Sequence, residues 1–107
     1  MTAIDRLRNI VRNKNDFDTL GGRSKFKAEI NNNNCLIITI SSDKEFEVSD
    51  ALAAAVLKRY ESSSNGEKYM TSNYTDPAWQ DCPNRIVSPY VARIFKEESL
   101  PNKQRQR

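Results

Sequence analysis

From Lys25 onward the hydrophobic positions recur every second residue. Phe26, Ala28 and Ile30 alternate with Lys25, Lys27 and Glu29, the pattern of a strand with one wet face. A polar run over 31–34 follows, then Cys35-Leu36-Ile37-Ile38-Thr39-Ile40, apolar on both sides. After Ser41-Ser42-Asp43-Lys44 the alternation returns in Glu45-Phe46-Glu47-Val48. Connections this short favour hairpins over crossovers, so the spacing predicts a three-stranded antiparallel sheet over 25–30, 35–40 and 45–48, with the Cys35 strand central.

On either side of the strands the period lengthens to that of a helix. Ile4, Leu7, Ile10 and Val11 fall within roughly a 120° arc, and Thr2 followed by Asp5 is a capping-box-like start, which predicts an N-terminal helix over 3–13. Beyond the polar Asn13-Lys14-Asn15-Asp16, Phe17 and Leu20 are expected to fold back on that helix before Gly21-Gly22 close the loop. Ser49 and Asp50 start a central helix over 50–63 whose inner side carries Leu52, Ala53, Val56, Leu57 and Tyr60, and Asn65-Gly66 end it. Ser88-Pro89 open a C-terminal helix over 89–98, with Val91, Ile94 and Phe95 inward. Between 67 and 87, Tyr69, Met70, Tyr74, Trp79 and Cys82 recur without any period, and Thr75-Asp76-Pro77-Ala78-Trp79 reads as a capped single turn. The expected architecture is one α+β domain over residues 1–98, followed by a disordered basic tail over 99–107 that has little apolar to bury.

Composition narrows the chemistry. A chain of 107 residues supports a single core, and no stretch approaches the roughly 20 apolar residues of a membrane span. The first residues lack the basic and apolar regions of a secretory signal, so the chain is expected to be cytoplasmic and to have no membrane partner. With no histidine and only two cysteines there is no Cys-His or Ser-His-Asp relay, and two thiols cannot close a structural zinc site. A reducing compartment favours both thiols free. Residues 1–27 hold seven basic against three acidic side chains, residues 28–98 hold seven against eleven, and residues 99–107 add three basic ones. The net charge of +3 therefore lives at the two ends.

The order helix, three strands, helix over residues 2–61 resembles that of double-stranded RNA-binding domains. Such domains present lysines at the start of the second helix to hold phosphates across a groove. Here that stretch is Ser49-Asp50-Ala51-Leu52, preceded by Glu45 and Glu47, and an acidic helix start repels the ligand. The resemblance extends to element order alone.

No acidic residue is followed two positions later by lysine, so the chain lacks the strand motif of the common metal-dependent nucleases. Asp76 and Asp81 with Glu61 or Glu67 read more simply as solvated carboxylates than as a magnesium site, and Cys82 has Asp81 rather than a base beside it. Gly21-Gly22-Arg23-Ser24-Lys25 has the glycines and cations to wrap an anion but is too short for a P-loop, and reads first as a flexible connector. No catalytic residue, metal or cofactor is expected. The leading expectation is a small non-enzymatic binding protein acting by protein–protein contact through Tyr69, Tyr74, Trp79 and Tyr90, because such side chains bury large area at little entropic cost. Regulation or inhibition of a nucleic-acid-handling machine of the phage or mobile-element type fits that small size. The alternative is direct nucleic-acid binding through Arg8, Arg12, Arg23, Lys25, Lys27, Lys103, Arg105 and Arg107. Trp79, after Pro77 in a turn, is expected inside, whereas Tyr74 and Tyr90 are expected to stay wet.

Overall fold

The computed structural model describes residues 1–100. Helix α1 (Ala3–Asn13) precedes four strands, β1 (Asp16–Asp18), β2 (Lys25–Ile30), β3 (Leu36–Thr39) and β4 (Glu45–Val48). Helix α2 (Asp50–Ser62), a 3-10 turn (Glu67–Tyr69), a single-turn helix α3 (Thr71–Thr75) and helix α4 (Ser88–Ser99) follow. The class is α+β, as the periodicity predicts, but the antiparallel meander has four strands in the order β1-β2-β3-β4 rather than three. The added strand is a short edge with one apolar residue, too brief to show a period. Phe17 pairs with Phe26 in register and stacks on it at 5.3 Å, so it joins the sheet instead of folding back as a loop. Both β2 and β3 are interior strands, and β3 begins after Cys35.

The N-caps expected at Thr2 and Ser49 form, whereas α4 starts at Ser88 with Val87 as a cap that makes no side-chain hydrogen bond. Thr2 Oγ1 accepts from Asp5 N–H at 3.2 Å and Ser49 Oγ from Leu52 N–H at 3.1 Å, each satisfying a donor that the first helical turn leaves unpaired. The β1–β2 hairpin closes through Gly22 N–H on Thr19 O at 2.9 Å, with Gly22 at φ 73, a left-handed conformation that glycine adopts without a Cβ penalty.

Helices cover one face of the sheet. Phe17, Phe26, Ala28, Leu36, Ile38 and Val48 are buried there with Leu7 and Val11 of α1, Leu52 and Val56 of α2, and Val91, Ile94 and Phe95 of α4. The opposite face carries Lys25, Lys27, Glu29, Glu45 and Glu47 in the open, so Ile37, expected to be covered on a two-sided strand, is only half-buried. Arg6 clamps the helical layer. It bonds Glu98 of α4 at 2.6 Å, lies 3.7 Å from Glu61 of α2, and sits 5.7 Å over the Phe95 ring.

The C-terminal helix runs through Ser99, one residue past its predicted end and into the stretch read as tail; the remainder of that expected tail, 101–107, lies outside the described residues. Cys35 and Cys82 are free and half-buried, with Cys82 Sγ 3.2 Å from Ser88 Oγ.

Candidate functional site

The aperiodic segment is organised by side chains from its neighbours rather than by backbone repeats. Arg59 on α2 donates from Nε to Asn73 O at 3.1 Å and lies 5.3 Å over the Trp79 ring. Arg85 donates to the carbonyls of Asp76, Pro77 and Trp79, drawing the chain into a tight curl around one guanidinium. The capped turn forms within the expected 75–79 stretch, with Ala78 N–H on Asp76 Oδ1 at 2.9 Å and Trp79 N–H on Asp76 O at 3.0 Å.

The four aromatic candidates do not form one patch. Trp79 is buried as expected. Tyr74 is not wet: it is 0% exposed, its ring meets Trp79 edge-on at 6.2 Å, and its hydroxyl donates to Lys68 O at 2.6 Å. Burial raises its pKa above the ordinary phenol range. The hydroxyl found a backbone acceptor six residues upstream, which removes the reason for it to stay at the surface. Tyr69 lies half-buried beside Tyr60, within 3.3 Å of Ser99 Oγ and with Lys96 5.0 Å from its ring centre. The Ser99 hydrogen bond is the leading cause that lowers its pKa. Tyr90 packs edge-on against Phe26 at 5.0 Å near the start of α4. At 1.5 Å per helical residue, the nine residues from Tyr90 to Ser99 separate these two tyrosines' neighbourhoods by about 13 Å.

The basic candidates are also divided. Arg8 is 20% exposed and pairs with Asp5 at 3.2 Å, while Arg12 donates to Asn9 Oδ1 at 2.7 Å, both in the helical layer. Lys25 and Lys27 lie on the opposite, open face of the sheet, where Lys25 meets Asp18 at 3.4 Å and Lys27 is in register with Asp16. Arg23 is exposed at the hairpin. Lys103, Arg105 and Arg107 lie outside the described residues.

One concave site uses residues from both sets. The hairpin tip (Thr19, Leu20, Gly21, Arg23), α3 (Thr71, Thr75) and the approach to α4 (Arg85, Ile86, Pro89, Tyr90) enclose a groove of about 520 Å³. That is the size of a small-molecule or side-chain pocket. Ile86 is 64% exposed, whereas Leu20 and Tyr90 are half-buried. Asn84 Oδ1 accepts from the N–H groups of Ile86 at 3.0 Å and Val87 at 3.3 Å, so the isoleucine is held by a fixed turn. Sequence reading missed Leu20, Arg85 and Ile86. The available signal was a bulky apolar residue at Ile86 immediately before a helix whose inward positions were already filled by Val91, Ile94 and Phe95.

A second depression between α1 and α2, lined by Ala3, Ala54, Leu57 and Glu61, contains no exposed large apolar side chain. Among the described residues no group of three or more Cys, Asp or Glu gathers as a metal site; Asp76 instead faces Arg59 at 3.9 Å. The chain matches no protein-family model, no curated protein and no solved structure.

Proposed function

We propose that this protein is a binding module that acts by protein–protein contact, and that its contact site is the groove between the β1–β2 hairpin and the start of α4. The observation that carries the reading is Ile86: a large apolar side chain 64% exposed on a hydrogen-bonded turn, at the mouth of a groove that Leu20, Pro89 and Tyr90 make apolar. An exposed aliphatic surface on a fixed frame gains from dehydration by a partner without a large ordering cost. Of the four aromatic candidates, Tyr90 belongs to this site, and Tyr74 and Trp79 support the loop behind it. A domain that covers a surface changes its partner by what it excludes, so regulation or inhibition of a larger assembly follows from the same contact.

The test places a photo-crosslinking residue at position 86 and, in a second variant, at position 27 on the open sheet face, with the full chain exposed to extract from its own source cells. A discrete protein adduct from position 86, lost when Tyr90 is also changed to Ala, is the expected result. Crosslinks only to nucleic acid, or equal protein crosslinking from both positions, refute the reading. An anchor of this kind contributes about 2 kcal/mol of binding, roughly a 30-fold change in affinity.

A further inference from the structure

The groove's charge says what kind of segment fits it. Arg23 and Arg85 both line it, and no acidic residue does. Among the described residues neither guanidinium lies within salt-bridge distance of a carboxylate, whereas Arg6, Arg8, Arg59 and Arg93 each do. Arg85 is held by backbone carbonyls through Nε and Nη2, which fixes its position while leaving its positive charge uncancelled. Arg23 is exposed at the hairpin tip, across from it. Two unneutralised cations beside an apolar cleft attract an occupant with complementary charge and repel a basic one. The chain's own C-terminal sequence carries Lys103, Arg105 and Arg107 and no acid, so it has the wrong sign. A single-stranded nucleic acid would supply phosphate but stacks its bases on open aromatic faces, and the groove offers a half-buried Tyr90 already packed against Phe26, beside Leu20, Ile86 and Pro89. A duplex is held by an array of phosphate contacts, and this groove presents two cations around an apolar centre.

Resting on the groove as the contact site, we propose that its occupant is a short acidic segment of a partner protein, in which one large apolar side chain enters between Leu20, Ile86 and Tyr90 while a neighbouring Asp or Glu pairs with Arg23. Arg85 then supplies a fixed positive field beneath the segment. Binding of this kind combines an apolar anchor with one formal ion pair, so affinity falls several-fold between low and high salt without vanishing.

The probe is a phage-displayed library of random dodecapeptides, selected on the full chain and counter-selected on Ile86→Lys, with enriched peptides synthesised and titrated by fluorescence anisotropy. Ile86 and Arg23 are exposed, and circular dichroism checks that each variant folds as the parent does. The expected peptides carry Asp or Glu within three residues of Phe, Trp, Leu or Ile. Arg23→Glu weakens them at least tenfold, and exchanging the peptide's acid for Lys restores most of that loss. Peptides that need Ile86 but show no acidic excess, or that bind Arg23→Glu unchanged, overturn this inference and leave the groove as a contact site. Selection of no Ile86-dependent peptide overturns both. A concentration-dependent dimer abolished by Ile86→Lys assigns the groove to a second copy and also overturns the proposal.

Discussion

Replacing Tyr74 separates core from contact surface more sharply than any other substitution. The ring is fully buried, packs edge-on to Trp79 at 6.2 Å, and its hydroxyl bonds Lys68 O at 2.6 Å, so truncation removes three contributions at once. Deleting a buried aromatic side chain costs about 3–5 kcal/mol through lost transfer energy and the cavity left behind. The net hydrogen bond adds about 1 kcal/mol, which places Tyr74→Ala near 4–6 kcal/mol. Against the 5–15 kcal/mol typical of a domain, that is about a quarter of the total or more. Tyr74→Phe keeps the ring and loses the hydroxyl alone, so it should cost about 1–2 kcal/mol and leave the Lys68 carbonyl short of a partner. At roughly 4–8 °C per kcal/mol, the expected thermal midpoints fall by about 5–15 °C for Phe and by more than about 15 °C for Ala. Circular dichroism on heating and in urea reads both. Ile86→Ser is the comparison: at 64% exposure it should change stability by no more than about 0.5 kcal/mol. A Tyr74→Ala variant that unfolds within a few degrees of the parent would refute the assignment of Tyr74 to the core.

Two further outcomes follow from buried groups. Burial pushes the Tyr60 phenol up to about 12 and raises that of Tyr74 as well. Unfolded tyrosines ionise near pH 10, so the stability these phenols contribute is complete below about pH 10 and is lost as pH rises through the folded values. Absorbance at the tyrosinate band should show two of the four tyrosines ionising only as the chain unfolds; ionisation of all four at about pH 10 in the folded protein contradicts this. Arg93 and Glu97 form a 3.1 Å pair with side chains 12% and 5% exposed, and Arg93 also lies 5.5 Å over the Phe17 ring. Arg93→Ala strands the carboxylate and should cost about 3 kcal/mol or more, while Arg93→Met with Glu97→Leu should recover most of it. Denaturant midpoints check the comparison, and a double variant no better than the single one sinks it.

Local pattern was sufficient where an element repeats. Alternation along Phe26, Ala28 and Ile30 and the 3.6-residue period of Ile4, Leu7 and Val11 are properties of neighbouring residues, so the α+β class, three of the strands and the three long helices are legible before folding. The cap at Thr2 is local for the same reason, whereas α2 ends at its cap Ser63 in extended backbone rather than at Asn65-Gly66. Strand β1 was not legible because three residues with one phenylalanine contain no period; pairing with β2, seven or more residues away in sequence, makes it a strand. The tyrosines show the same limit. Sequence identifies side chains able to be either core or contact surface, and only the packing around Lys68 O sends Tyr74 inward while the filled face of α4 leaves Ile86 outside. The groove joins residues 19–23, 71–75 and 85–90, whose proximity depends on Arg59 and Arg85 curling the loop against the helices. Long-range contacts of that kind are chosen by the tertiary energy of the whole chain, and no window of sequence contains them.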